Sequence, residues 1–114
     1  RPGVMFATLL NKGAATRLFS AKSPSFARIE LHTHRKMPNG IMRMVQVDDF
    51  AVPANGILTL KPGGHHLMLF GYQGQKGENV SVTLQFADDR AVTVLAPPLQ
   101  RNIADGKKLQ HHSH

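Results

Sequence analysis

Histidine and methionine are the residues of this chain best suited to chemistry, and they crowd into its middle. Four of the seven histidines (His32, His34, His65, His66) and four of the five methionines (Met37, Met42, Met44, Met68) fall between positions 32 and 68. Cysteine is absent, which excludes disulfides, thiolate nucleophiles, zinc–thiolate sites and iron–sulfur clusters together. Any soft-metal site must therefore take its sulfur from methionine. Imidazole nitrogen combined with thioether sulfur suits a soft or borderline ion, copper(I) most of all. Thioethers cannot be lost to disulfide formation, so such a set stays usable in an oxidising space.

The stretch from Lys61 to Gly71 opens on the turn signal Pro62-Gly63-Gly64 and closes on a glycine, which predicts one short strand. Alternate side chains of a strand share a face, so His66, Met68 and Phe70 fall on one side and His65, Leu67 and Leu69 on the other. His66 and Met68 then stand roughly 6.5 Å apart, near enough to converge on one ion. His32 with His34, and Met42 with Met44, are two further same-face pairs. Taken singly, a methionine usually fills a core gap and a histidine usually sits at a surface. Three such pairs on three strands argue for a shared site at one end of the fold.

The elements that must position these pairs follow from apolar runs and turn residues. Strands are expected over residues 4–10, 16–21, 26–34, 41–47, 50–52, 57–61, 65–70, 80–86 and 91–96. In 26–34, Ala27, Ile29, Leu31 and Thr33 alternate with Arg28, Glu30, His32 and His34. Asn11-Lys12-Gly13, Met37-Pro38-Asn39-Gly40, Pro53-Ala54-Asn55-Gly56 and Asp88-Asp89-Arg90 are turns, and residues 72–79 are a glycine-bearing loop. About eight short strands, with no convincing helical period except a short polar one at 103–109, give an all-β sandwich or barrel. Residues 1–96 form one domain, and 97–114 are expected to be a disordered polar C-terminal tail ending in Gln110-His111-His112-Ser113-His114.

A formal charge of +7 and a pI near 10.4 invite a nucleic-acid reading. Against it, lysine and arginine are scattered, and one tyrosine with no tryptophan offers little to stack bases on. A basic surface equally suits an acidic protein partner. No apolar run approaches the roughly 18 residues that span a membrane. The chain begins at Arg1-Pro2-Gly3 rather than at Met, so a processed chain whose leader is not present is expected.

Three separated runs carry a resemblance. Glu30-Leu31-His32-Thr33-His34, then Gly40-Ile41-Met42-Arg43-Met44, then Pro62-Gly63-Gly64-His65-His66-Leu67-Met68-Leu69-Phe70-Gly71 are similar to the periplasmic copper chaperone family PCu(A)C. Asn11-Lys12-Gly13, Ser23-Pro24 and Val82-Thr83-Leu84-Gln85-Phe86 extend the similarity through most of the domain. The resemblance implies a cupredoxin-like Greek-key sandwich, a periplasmic location and a copper(I) site made by His32, Met44, His66 and Met68. His34 and Met42 are the alternative ligands, because the His32-to-Met44 interval is one residue longer than the family's usual form. It further implies no catalysis, but delivery of copper to an acceptor cuproprotein, such as the copper subunit of a terminal oxidase or another copper chaperone. The tail histidines His111, His112 and His114 are then a candidate copper(II) site, since flexible imidazoles without methionine suit the harder ion. The competing enzyme reading is a small cupin-like mononuclear metal pocket built on His32-x-His34. Arg35, Lys36 and Met37 stand where such a pocket usually adds a glutamate.

Overall fold

The computed structural model describes residues 2–96 and folds them into ten antiparallel strands. These are β1 (Gly3–Met5), β2 (Ala7–Leu10), β3 (Thr16–Lys22), β4 (Phe26–Lys36), β5 (Met42–Val47), β6 (Phe50–Val52), β7 (Ile57–Leu60), β8 (His66–Tyr72), β9 (Val80–Phe86) and β10 (Ala91–Ala96). One sheet has the order β1-β8-β4-β5 and the other β10-β9-β3-β6, with β2 and β7 forming a separate ribbon. Only consecutive pairs β4–β5 and β9–β10 are hairpins within the two large sheets, so the remaining connections cross between layers in the manner of a Greek key. The architecture is the expected all-β sandwich of cupredoxin-like type. The tail histidines His111, His112 and His114, and the weak helical stretch at 103–109, lie outside the described residues.

Alternation decides which face of each strand is dry. Val80, Val82, Leu84 and Phe86 of β9 are buried and the residues between them are half-exposed. Leu18, Phe50, Leu60, Leu67, Val82 and Leu84 are almost fully enclosed at the centre of the core. On β8 and β4 the core takes Leu67, Leu69 and Leu31. The residues between them, including His66, Met68, Glu30 and His32, are thereby directed to the sheet's outer face.

Three departures from the expected strands come from the neighbours each strand pairs with. The apolar run 4–10 divides at Phe6, because Val4 pairs with Met68 of one sheet and Thr8 with Thr59 of the ribbon. Apolarity marks both halves alike and cannot reveal a change of partner. In β3, Leu18 and Ala21 both face the core although three positions apart, because the register with β9 shifts between Leu18 and Ser20. That bulge inserts one residue and restores the phase. Gly71, expected to end its strand, lies inside β8 with φ near +70°. A Cβ there would stand 2.8 Å from the Cβ of Ala27, so close strand approach as well as backbone shape calls for glycine.

Asn11 has a larger role than a turn residue. It is buried, its amide donates to the carbonyls of Ala14 (2.9 Å) and Pro53 (2.8 Å), and its oxygen accepts from Gly13 N–H and Arg90. It thus ties three loops with every polar atom satisfied.

Leu67 joins the core to the outer face, since its neighbours in sequence are His66 and Met68. Leu67→Ala should lower unfolding stability by about 2–5 kcal/mol, read from denaturant melts with an unchanged slope. A loss well under 1 kcal/mol would show that this position is not the packed centre described.

Candidate metal centre

The hydrogen-bond register of β8, β4 and β5 sets the positions of the outer-face side chains. Between β8 and β4 the facing pairs are Phe70 with Arg28, Met68 with Glu30, and His66 with His32. Between β4 and β5 they are His32 with Gln46, His34 with Met44, and Lys36 with Met42. The three pairs of histidines and methionines expected to share a site thus lie on adjacent strands of one sheet. They meet on its outer face rather than across one end of the sandwich.

His66 is the centre of the group. It is only 4% exposed, and its Nδ1 donates to the carbonyl of Gly64 at 2.9 Å. With that proton on Nδ1, the neutral ring carries a bare lone pair on Nε2. That Nε2 lies 3.2 Å from Met44 Sδ. Met44 reaches it from β5 across the intervening β4, a span of about 9–10 Å between strand axes. The imidazoles of His32 and His34 have their centroids 5.9 and 5.5 Å from that of His66. Nitrogen and sulfur donors on one ion, with bonds of about 2.0 and 2.3 Å as at zinc, stand about 3.5 Å apart at a tetrahedral angle. The 3.2 Å approach fits two donors aimed at one small ion.

His66 takes up a proton less readily than a free imidazole. Burial is the main cause, since it strips water from the cation; the Gly64 carbonyl opposes the shift, and His34, His32 and His65 add to it by repulsion. The effect keeps the lone pair free for a metal.

His32 is oriented from its other side. Its Nε2 lies 2.9 Å from Glu30 Oε1, and its buried Nδ1 has no hydrogen-bond partner. Met68 is 8% exposed on the same face, beside His66 along β8 and opposite Glu30. Met42 and Met44 are both about half exposed on the edge strand, Met42 lying one step farther along. His65 turns to the opposite face, where it stacks on Phe50 (centroids 4.4 Å apart) and shares a 2.9 Å hydrogen bond with Thr33 Oγ1. Among the described residues no three His, Cys, Asp or Glu side chains form a metal-holding group.

Glu30 and the Gly64 carbonyl are the two contributors that sequence reasoning missed. The signal for Glu30 was present: it precedes His32 by two residues on the same face. Hydrogen bonds from His32 first and Arg28 second hold its carboxyl below the ordinary carboxylate range.

Comparison with known proteins gives the family and the fold type. Residues 1–97 match the family profile described as "LpqE-like: Putative lipoprotein LpqE-like". The chain belongs to the LpqE-like family. It is 33% identical over 96 residues to "Putative lipoprotein Lxx21020" of Leifsonia xyli subsp. xyli (strain CTCB07), covering 81% of this chain. This chain spans only 57% of that relative's length. Among solved structures, the "Copper-bound PCuAC domain from PmoF2" superposes with TM-score 0.66 at 22% identity, over 85% of this chain and 77% of that one. The "Apo PCuAC domain from PmoF1" gives 0.67 at 20%, over 87% and 80%. The "Solution structure of CuI-DR1885 from Deinococcus Radiodurans" gives 0.56 at 30%, over 90% and 78%. The domain of this LpqE-like protein is therefore of the PCuAC type.

The lowered proton affinity of His66 has a sign that can be checked. At about pH 7.5 and above neither the folded nor the unfolded chain protonates this ring appreciably. Below that, the unfolded chain takes a proton that the folded one resists, so stability falls as pH drops. Denaturant melts from pH 7.5 down to 5.5 should show the metal-free protein losing stability, and His66→Leu losing measurably less. Equal losses in both would assign the acid sensitivity elsewhere.

Proposed function

We propose that this domain carries copper(I) on the outer face of the β1-β8-β4-β5 sheet and hands it to an acceptor cuproprotein. The observation that carries the reading is the approach of His66 Nε2 to Met44 Sδ at 3.2 Å, two lone-pair donors with the ring's proton engaged elsewhere. His32 and Met68 complete the proposed ligand set, with His34 and Met42 as alternatives. Copper-bound proteins among the structural neighbours support the choice of ion. A set of two imidazoles and two thioethers is neutral, so the ion keeps its single positive charge and the reduced state is preferred.

Transfer needs no bond of a substrate made or broken. Met44 lies about half exposed on an edge strand, where an incoming partner's ligand would replace it first while buried His66 holds on. The acceptor would be a terminal oxidase copper site or a further copper chaperone, and the work would be done outside the cytoplasm, in the periplasm or its equivalent. Lipoprotein wording in the family and in the Leifsonia relative supports that placement. Among the described residues no helix is long and apolar enough to cross a membrane. The cupin-like alternative is weaker, because His32 and His34 lie on the outer face of an open sheet, beside an edge strand, rather than inside a barrel.

Titration of the reduced protein with copper(I) against a competing chelator should give one tight equivalent. Met44→Ala and Met68→Ala should each weaken it by at least tenfold. If neither substitution changes the affinity, the thioether assignment is wrong. A second measurement concerns the tail: removing residues 110–114 should reduce copper(II) binding and leave copper(I) binding unchanged. Unaltered copper(II) binding would make His111, His112 and His114 an ordinary polar end.

A further inference from the structure

The outer face holds a chain of polar contacts that leads to one unpaired atom. Arg28 lies 4.2 Å above the Phe70 ring and donates from Nε to Glu30 Oε2 at 2.9 Å. Glu30 Oε1 lies 2.9 Å from His32 Nε2. A carboxylate oxygen only accepts, so a short contact with ring nitrogen requires the proton to be on Nε2. The neutral ring then has its lone pair on Nδ1. That atom is buried and unpartnered; among the described residues the only other buried side-chain N or O atom in that state is Thr16 Oγ1.

An orphaned buried acceptor normally lowers stability, so its persistence points to a partner absent from the protein itself. A metal-binding imidazole commonly donates its second N–H to a carboxylate, which fixes both the tautomer and the ring plane. Glu30 and His32 reproduce that relation. Register reinforces it, since Glu30 and His32 are same-face neighbours on β4 and face Met68 and His66 on β8.

We infer that Glu30 is a positioning residue that keeps the His32 proton on Nε2 and so presents Nδ1 as the nitrogen offered to the metal. Arg28 in turn fixes Glu30, and the pair cancels in charge, so the cation is not left alone beside a copper(I) ion. The inference rests on the copper reading of the site. It adds which atom of His32 binds and which residue selects that atom.

The test begins on the metal-free protein. Nitrogen-15 shifts of the His32 ring should show Nε2 protonated and Nδ1 bare. Glu30→Ala should move the ring toward the opposite tautomer and weaken copper(I) binding about 10–100-fold. Glu30→Gln, which keeps an oxygen acceptor at the same reach, should retain the tautomer and more of the affinity. A proton found on Nδ1 in the unaltered protein overturns the inference, as does a folded Glu30→Ala protein with unchanged tautomer and affinity. No copper(I) binding by the unaltered chain overturns the metal reading itself, and the inference with it, whatever the tautomer.

Discussion

The antiparallel register that locks β4 between β8 and β5 is the constraint on which the rest of the site depends. Leu31, Leu67 and Leu69 project into the core from this sheet, each contributing about 1.5–3 kcal/mol by burial. Their period of two leaves no freedom for the residues between them. A slip of one position would drive His66, Met68 and His32 inward and expel the leucines. Apolar burial on one face therefore fixes the donors on the other, without needing any metal to organise them.

That division of labour explains how a sheet can hold soft donors so closely. Three strands deliver side chains at fixed rungs, and only the long, flexible thioether of Met44 has to cross a strand to reach His66. Methionine suits that span because it is unbranched and adaptable, while the imidazole is pinned by the Gly64 carbonyl. The rigid donor is buried and the mobile donor is at the rim. Such an order suits the proposed carrier, which must hold its ion firmly and still release it to another protein.

The electrostatics follow the same logic. The proposed ligands carry no charge, and the one carboxylate nearby is engaged by Arg28 and His32. On this face of a chain of formal charge +7, Arg28 is paired with Glu30 at 2.9 Å. Burial of His66 on the outer face bears on its chemistry, since loss of solvent disfavours the proton that would compete for Nε2.

Much of this was legible in the sequence because strands write a period of two. The all-β class, the turns at Met37–Gly40 and Pro53–Gly56, and the same-face pairing of His32 with His34, Met42 with Met44 and His66 with Met68 are local properties of spacing. The turning away of His65 from His66 is equally local. Partner choice is not. The break of the first apolar run at Phe6, the bulge that lets Leu18 and Ala21 share a face, and the passage of β8 through Gly71 all depend on which strand lies alongside. So does the meeting of Met44 with His66, residues 22 positions apart and two strands removed. The sequence by itself determined which donor atoms the chain possesses and which of them share a face. Only the tertiary structure decided that they gather on the outside of one sheet, because hydrogen-bond register between distant strands is set by packing of the opposite face, which no local pattern encodes.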